Sequence, residues 1–279
     1  MERYIKDHFL TGEEFSVVPH ERYDGVLQTV FDQPLDQLEK YYQSEEYLSH
    51  SKGNSSPLAK VYSLAQRANL RWKLKHIQRF LPEGKLLDYG CGKGDFVHYM
   101  QGKGYSAYGY EPNIKAADLA QDAVGESILQ WQDLPRQAPY DAICLWHVLE
   151  HIPDLEEKFT QLLSWLKEGG WLFVALPNYK SLDAEFYGDL WAGYDVPRHL
   201  WHFSREGFSE FIADFGIVME EQVGMPMDAY YVSLLSERYK RSSLSYWNAM
   251  QMGLKSNLAA RKNGEFSSIL YVLNKRNAK

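Results

Sequence analysis

The chain has 279 residues, 45% hydrophobic and 24% charged, which is ordinary for a globular protein of one large domain, or one domain with an appendage. Its formal net charge of −7 argues against a broad nucleic-acid-binding surface, because an acidic protein repels phosphate groups. No segment reaches the apolar length of a membrane span and the first residues lack a signal-peptide pattern, so we expect a soluble, cytoplasmic protein.

The first 56 residues predict a small extension made of a β-ribbon and a helix. The segments EEFSVVP and GVLQTVF have strand character, and the residues between them suit a turn. A helix is predicted to start after Pro34, and the polar run SHSKGNSSP then breaks it. Apolar residues recur at helical spacing from Pro57 to Phe80, where we place the start of the main domain, residues 57–279.

Strands and helices alternate after Pro82, which predicts an α/β fold. The predicted strands are KLLDYG, YSAYGYE, SILQW, YDAICLW and WLFVALP, and a long helix is predicted over DLEEKFTQLLSWLKEGG. Such alternation implies right-handed crossovers and a parallel sheet. A helix from Ser204 to Phe215 follows, then a strand IVMEEQVGM, a helical insert over about 226–264, and a last strand SSILYVLNK.

The segment LLDYGCGKGDF carries the strongest local pattern in the chain. An apolar strand contains Asp88, and Gly90, Gly92 and Gly94 then precede a helix. Alternating glycines permit positive φ angles and let a ligand approach bare backbone beside the helix N-terminus. A dinucleotide loop needs its third glycine at position 95, where the carboxylate of Asp95 would repel a pyrophosphate. The loop therefore favours a ligand without phosphates.

Four segments in the same order resemble class I S-adenosylmethionine-dependent methyltransferases. LLDYGCGKGDF is similar to the family's first motif, and YGYEP ends the next strand with Glu111. YDAICLWHVLEHIPD and LKEGGWLFVALPN are similar to the family's fourth and fifth strands. The resemblance, to the small-molecule branch, covers about residues 60–224. It implies a Rossmann-like seven-stranded sheet in the order 3-2-1-4-5-7-6, with strand seven antiparallel.

The resemblance also implies a site for S-adenosylmethionine at the carboxyl ends of the first strands. Glu111 would accept hydrogen bonds from both ribose hydroxyls, and Gln130 and Trp131 align with positions that contact adenine. In related enzymes a segment before the sheet folds over the cofactor, which here brings Tyr47 or His50 toward the pocket. The predicted cofactor-binding residues are Asp88, Gly90, Cys91, Gly92, Gly94, Glu111, Pro112, Gln130, Trp131, Trp146, His147 and Tyr47.

The segment YDVPRHLWHFS follows the fifth strand, at the same edge of the sheet as the cofactor. Arg198 suits a clamp on a carboxylate or phosphate of the acceptor, and His199 lies beside it in the chain. His202 just precedes Ser204, which can cap the next helix, so a structural role competes with a catalytic one. His151, from LEHIPD, is a candidate general base. The predicted catalytic set is therefore His151, His199, Arg198 and His202.

The histidine-rich segment also raises the question of a metal. Asp195, His199 and His202 have a spacing that suits one, but no clear supporting ligand set accompanies them. The two cysteines, Cys91 and Cys144, form no Cys-x-x-Cys pair and exclude a thiolate zinc site. Methyl transfer from a sulfonium does not itself require a metal, so we predict no metal site.

These observations predict methyl transfer from S-adenosylmethionine to a small-molecule, sugar- or lipid-linked acceptor, by in-line displacement at the sulfonium methyl. The alternatives are a NAD-dependent oxidoreductase, which Asp95 disfavours, and a non-catalytic domain that keeps the cofactor fold. Expected partners are the small-molecule acceptor and no nucleic acid. The helical insert holds amphipathic stretches that suit a lid over the pocket or a homodimer face, and the pattern fits both.

Overall fold

The computed structural model describes residues 2–42, 57–241 and 243–276. Within these ranges the strands are β1 (Arg3–Lys6), β2 (Glu14–Pro19), β3 (Val26–Thr29), β4 (Lys85–Tyr89), β5 (Ser106–Tyr110), β6 (Tyr140–Trp146), β7 (Leu166–Pro177), β8 (Trp201–Phe203), β9 (Val218–Gly224) and β10 (Ser268–Asn274). The α-helices are α1 (Pro57–Gln78), α2 (Asp95–Gln101), α3 (Ile114–Val124), α4 (Leu134–Gln137), α5 (Leu155–Trp165), α6 (Leu182–Tyr187), α7 (Arg205–Ala213), α8 (Pro226–Tyr239) and α9 (Ser245–Asn263). Segments of 3₁₀ helix lie at Leu35–Tyr42, Gly125–Ser127, Trp131–Asp133, Leu149–His151 and Gly188–Leu190.

Six of these strands form the central sheet, in the order β5-β4-β6-β7-β10-β9. β4 pairs in parallel with β5 and with β6, and β6 pairs in parallel with β7. β10 runs antiparallel to both of its neighbours, β7 and β9. The α/β class and the Rossmann-like arrangement predicted from the sequence are confirmed.

The middle strands are buried on both faces, which explains why their sequences are apolar throughout rather than alternating. In β6, Ile143 and Leu145 belong to one hydrophobic cluster, and Ala142 and Cys144 belong to the cluster on the other face. Helices cover both sides of the sheet, so the polar groups that follow each strand are concentrated at the strand ends.

The predicted count of seven strands is wrong for the described residues. The segment SILQW was expected to form a strand, but Ile128 makes only an isolated parallel bridge with Gly109. Turns of 3₁₀ helix at Gly125–Ser127 and Trp131–Asp133 flank that bridge on both sides. The segment between them is too short to extend the pairing along β5.

β7 begins earlier than the sequence predicted, because the chain leaves α5 after Trp165 rather than after Gly170. Leu166 already pairs with Tyr140, and the register then shifts before Trp171 pairs with Ala142. Gly169 lies within this irregular stretch with a φ of +76°, a conformation that glycine adopts at little cost. The residues LKEGG therefore extend the strand instead of the helix.

A second, four-stranded sheet has the order β1-β2-β3-β8 and is antiparallel. β8 comes from the segment YDVPRHLWHFS, where Leu27 pairs with His202 and Gln28 with Trp201. The predicted N-terminal ribbon is therefore joined by a strand from the later chain. The predicted helix after Pro34 is a 3₁₀ helix over Leu35–Tyr42.

The insert between β9 and β10 consists of α8 and α9, and it is helical as predicted. The two helices pack closely because α9 carries small residues on its inner face, and a Cβ at Gly253 would lie 2.5 Å from the ring of Tyr230. No helix among the described residues is both long enough and apolar enough to cross a membrane.

Candidate active site

The glycine loop joins β4 to α2, and its three glycines all take positive φ angles of 81°, 55° and 77°. Gly90 is also required by space, because a Cβ there would lie 2.5 Å from the side chain of Val148. A Cβ at Gly92 would meet nothing within 4 Å, so this part of the loop faces open space. The loop thus presents bare backbone at the carboxyl end of β4, as the sequence predicted.

Glu111 fastens this loop to the end of β5. Its Oε2 accepts a hydrogen bond from the N–H of Gly92 at 2.8 Å, and its Oε1 accepts one from the N–H of Asn113 at 3.0 Å. Burial raises the pKa of Glu111, and these two backbone donors partly offset the rise. Each carboxylate oxygen has a second lone pair, so the group can still accept hydrogen bonds from a ligand.

Asp88 lies at the end of β4 and is 2% exposed. Its Oδ1 has no hydrogen-bond partner among the described residues. Burial raises the pKa of Asp88 to about 7; the charge of Lys73 opposes this rise, and that of Glu111 adds to it. An unpaired buried carboxylate is costly, and such groups cluster at functional sites.

Lys73, which the sequence analysis missed, reaches this site from α1. Its Nζ lies 4.2 Å from the ring centroid of Trp146 and 5.4 Å from that of Phe96. Burial lowers the pKa of Lys73, although Asp88 and Asp228 raise it. In the sequence, Lys73 is recognisable only as the lysine that follows Trp72 of the apolar helical pattern. Such a pattern is too common to indicate a site.

Trp146 at the end of β6 and His147 after it form another wall of this site. The indole N–H of Trp146 is buried without a partner among the described residues. His147 has a positive φ of 58°, and its Nε2 lies 3.0 Å from Oδ2 of Asp228 at the start of α8. Burial alone would lower the pKa of His147, but its hydrogen bond to Asp228 and the nearby charge of Glu150 raise it to about 10. Asp228, also missed from the sequence, therefore fixes an imidazolium at this wall.

Glu150, His151 and His199 meet in a group that we call the Glu–His–His cluster. One ligand atom from each lies within 4.8 Å of the others. The two imidazole rings meet edge to face, with centroids 4.5 Å apart. Burial and the neighbouring His199 lower the pKa of His151 to about 4, so its ring is neutral at physiological pH. The sequence predicted both histidines as site residues, and the fold brings them together from segments nearly fifty residues apart.

Arg198 does not have the role predicted from the sequence. It is 1% exposed, and its NH2 nitrogen lies 2.9 Å from Oδ1 of Asp7 and 2.7 Å from Oδ1 of Asp195. Its Nε donates to Asp195, and NH1 donates to the carbonyl of Tyr41. The guanidinium is therefore consumed by internal partners and is not available to clamp an acceptor.

His202 is likewise held inside the N-terminal sheet. Its Nε2 lies 2.9 Å from Oγ1 of Thr29, and that hydroxyl donates to the carbonyl of His199 at 2.7 Å. Burial and the nearby His199 lower the pKa of His202 to about 3. The expectation of a catalytic His202 is therefore corrected to a structural role. Asp195 and His202 also do not join His199 in a metal-binding group.

The remaining predicted residues occupy varied positions around the loop. The Cys91 side chain packs against Gly109 in the core, where a Cβ on the glycine would come within 2.7 Å of its sulfur. Pro112 and Gln130 are exposed, and the ring of Trp131 lies tilted beside that of Tyr110, with centroids 5.6 Å apart. Tyr47 and His50 lie outside the described residues.

Comparison with known proteins finds matches over the same part of the chain. A family model described as a methyltransferase domain matches residues 63–222. A ubiquinone biosynthesis O-methyltransferase of Nitrosomonas europaea is 26% identical over 208 residues, which cover 65% of this chain and 84% of that protein. One of Chromobacterium violaceum is 31% identical over 103 residues, which cover 34% of this chain and 44% of that protein.

Solved structures with the same fold include two that were determined with bound SAH. Magnesium protoporphyrin IX methyltransferase from Synechocystis superimposes with a TM-score of 0.55 at 15% identity, over 87% of this chain and 100% of that one. Coclaurine N-methyltransferase, bound to N-methylheliamine and SAH, gives a TM-score of 0.52 at 16% identity, over 87% and 82%. At these identities the likeness shows a shared fold.

Proposed function

Because this chain belongs to the methyltransferase domain family and uses S-adenosylmethionine as its methyl donor, we propose that it methylates a hydroxyl oxygen of a small, partly apolar molecule. Its relatives named as ubiquinone biosynthesis O-methyltransferases favour oxygen as the accepting atom. The observation that carries the proposal is the Glu–His–His cluster, whose Glu150 and His151 follow Val148, the residue that borders Gly90 of the glycine loop.

The donor side of the site fits a cationic nucleoside. Glu111 would accept hydrogen bonds from the ribose hydroxyls on its remaining lone pairs, while Gly92 leaves space for the ligand above the loop. The unpaired Asp88 oxygen would attract the positive charge of the amino acid part. When bound, S-adenosylmethionine supplies an electrophilic methyl group on a sulfonium. Asp95, which lies at the start of α2 and accepts a hydrogen bond from Gln66, disfavours a pyrophosphate there.

The acceptor side supports the proposal of an oxygen nucleophile. A neutral hydroxyl is a weak nucleophile, so its methylation benefits from a neighbouring group that favours loss of the proton. Val148 packs against Gly90, and Glu150 and His151 follow it within one turn of 3₁₀ helix. Glu150 of the cluster therefore lies two residues along the chain from the residue that borders the donor loop, and the cluster is suited to activate the acceptor.

A stripe of exposed apolar side chains on α9 supports an acceptor with an apolar part. We call it the α9 stripe, and its members recur at helical spacing: Trp247, Met250, Leu254 and Leu258. Trp247 is 65% exposed and Leu254 is 51% exposed. A contiguous exposed apolar face is uncommon on a soluble domain and marks an interaction surface. In this proposal it contacts the apolar part of a lipid-linked acceptor or the phase that holds it.

The proposal is tested with methyl-labelled S-adenosylmethionine and a panel of acceptors. The panel contains phenols and catechols with and without an isoprenoid tail, sugar alcohols, and primary amines. We expect label on a phenolic or alcoholic oxygen, identified by mass spectrometry and NMR of the product, and faster transfer to tailed acceptors. Label found on nitrogen or carbon, or no transfer to any panel member, would contradict the proposal.

A pair of variants ties the activity to this site. We expect Glu111→Gln to weaken S-adenosylmethionine binding by about tenfold or more, because charge-assisted hydrogen bonds to a carboxylate are stronger than those to an amide. Calorimetry measures the change. Glu126→Gln, at an exposed acid just after α3, is the matched control and should bind like the wild type. Equal affinities in the two variants would remove Glu111 from the donor site.

A further inference from the structure

We propose that the Glu–His–His cluster binds one divalent first-row cation, with Zn²⁺ as the preferred species, through a carboxylate oxygen of Glu150 and Nε2 of His151 and His199. One candidate ligand atom from each of the three residues lies within 4.8 Å of those of the other two. Zinc–ligand bonds of about 2.0–2.2 Å place tetrahedral ligands roughly 3.5 Å apart, so an ion would draw the side chains inward by about an ångström. The inference departs from the sequence, which predicted no metal.

The hydrogen bonds of the two histidines favour this role. Nδ1 of His151 lies 2.9 Å from the carbonyl oxygen of Arg198, and Nδ1 of His199 lies 2.9 Å from that of Gly193. A carbonyl can only accept, so both Nδ1 atoms carry the proton and both Nε2 atoms keep a free lone pair. Metal-binding histidines show this arrangement, in which a backbone carbonyl or carboxylate fixes the tautomer and the ring orientation.

Glu150 supplies an independent indication of a ligand. Its side chain is 0% exposed, and neither carboxylate oxygen has a hydrogen-bond partner among the described residues. A buried carboxyl group whose two oxygens are both unsatisfied is expensive unless a ligand such as a cation compensates it.

The nearest alternative partner does not satisfy this carboxylate. Nδ1 of His147 lies 3.5 Å from Oε1 of Glu150, without hydrogen-bond geometry. The same imidazole lies closer, at 3.0 Å, to Oδ2 of Asp228. The imidazole therefore pairs with Asp228, and both oxygens of Glu150 remain open to a cation.

The donor set selects the class of ion. Two imidazoles and one carboxylate suit Zn²⁺, Fe²⁺ and Co²⁺, whereas Mg²⁺ and Ca²⁺ prefer oxygen ligands alone. Three protein ligands also leave a coordination position open, as in zinc sites that act on a substrate. This step rests on the proposed function: the ion would lower the pKa of an acceptor hydroxyl. The O–H proton then leaves to solvent, and its electron pair stays on the oxygen that attacks the methyl group.

Binding is tested on the full chain after dialysis against a chelator, without donor or acceptor. Calorimetry with Zn²⁺, and visible absorption with Co²⁺, should each report one ion per chain. We expect Glu150→Gln and His199→Gln to weaken binding by about 100-fold or more, since loss of groups that merely orient ligands already costs 10–100-fold. His98→Gln, at an exposed histidine on α2, is the matched control and should bind like the wild type.

The proposal is overturned if the wild type binds neither ion in a saturable manner, or if Glu150→Gln and His199→Gln both bind like the wild type. Near-ultraviolet circular dichroism of each variant verifies that it is folded. A folded His151→Gln variant provides a third reading if Glu150→Gln fails to fold. Methyl transfer is then assayed with and without chelator. Ion binding without oxygen methylation would contradict the proposed function but not the metal site. Full activity in the presence of chelator would show that the ion takes no part in the reaction.

Discussion

Asp88 is the residue whose environment is hardest to explain by stability alone. It is buried at the end of β4, and one of its oxygens has no partner among the described residues. Its pKa of about 7 means that at neutral pH about half of the molecules carry a carboxylate here that the fold has not fully compensated. Groups of this kind lower stability and are kept where a ligand needs the charge.

This cost predicts a pH-dependent effect of Asp88→Asn. The carboxyl titrates near 3.8 when unfolded and near 7 when folded, so the folded state holds the proton more tightly between these values. The free energy of unfolding of the wild type should therefore fall as pH rises through this window, by up to roughly 1.4 kcal/mol per pH unit. The variant lacks this loss, so its stability relative to wild type should be greater at pH 7.5 than at pH 5.

Urea unfolding at the two pH values measures the difference. Asp118→Asn, at an exposed acid on α3, serves as the control and should follow the wild type at both. Parallel pH profiles for the wild type and Asp88→Asn would show that the carboxyl is not buried at this cost. The same variant should also bind S-adenosylmethionine more weakly, because it has lost the charge that the site keeps.

Local spacing allowed part of the site to be predicted. The glycines and Glu111 are positioned by one continuous strand–helix–strand unit, β4–α2–β5, and their chemistry can be inferred from sequence alone. Lys73 and Asp228 come from helices far apart in the chain, and only the packing of α1 and α8 onto the sheet brings them to Trp146 and His147. The Glu–His–His cluster depends on the same kind of long-range approach.

At the scale of elements, the segment YDVPRHLWHFS is the main surprise. Its aromatic and charged residues suggested a loop around a substrate, yet they form β8 and the buried turn before it. The physical reason lies in a partner that is distant in sequence, Asp7. Together with the nearby Asp195, it binds the Arg198 guanidinium. Helix and strand periods predicted most elements of the central sheet correctly, because each is long and apolar. β8 has three residues and no period to detect.

The buried ion group predicts a large stability effect for Arg198→Met. Removing the guanidinium leaves Asp7 and Asp195 without their cation, and breaking a buried pair in this way costs about 3–5 kcal/mol. Arg22→Met is the matched control, because Arg22 pairs with Asp214 at 2.6 Å on the surface and its loss should cost about 1 kcal/mol or less. Denaturant unfolding of both variants compares them. Equal losses would mean that Arg198 does not anchor the N-terminal sheet.

For the whole molecule, the α8–α9 insert has two distinct faces. The inner face of α9 carries small buried residues and packs against α8, while the α9 stripe points away from the domain. The sequence left open whether these amphipathic stretches form a lid or a homodimer face. The exposure of the stripe in the single chain fits contact with an apolar acceptor. It fits a subunit interface as well, and the two roles can be separated by experiment.

The double variant Trp247→Glu, Leu254→Glu should separate acceptors by their solubility. Losing contact of a large apolar side chain costs about 1.5–3 kcal/mol, so kcat/KM for a long-tailed acceptor in lipid vesicles should fall by about tenfold or more. For a short, water-soluble analogue, kcat/KM should change by less than about twofold. The reason is that no described contact joins the α9 stripe to the Glu–His–His cluster or to the glycine loop. Leu119→Glu, on exposed α3, controls for added surface charge and should leave both rates unchanged. Sedimentation of the same proteins addresses the other reading: a wild-type dimer that the double variant converts to monomers, with both acceptors affected alike, would assign the stripe to a subunit interface and contradict an acceptor-facing role.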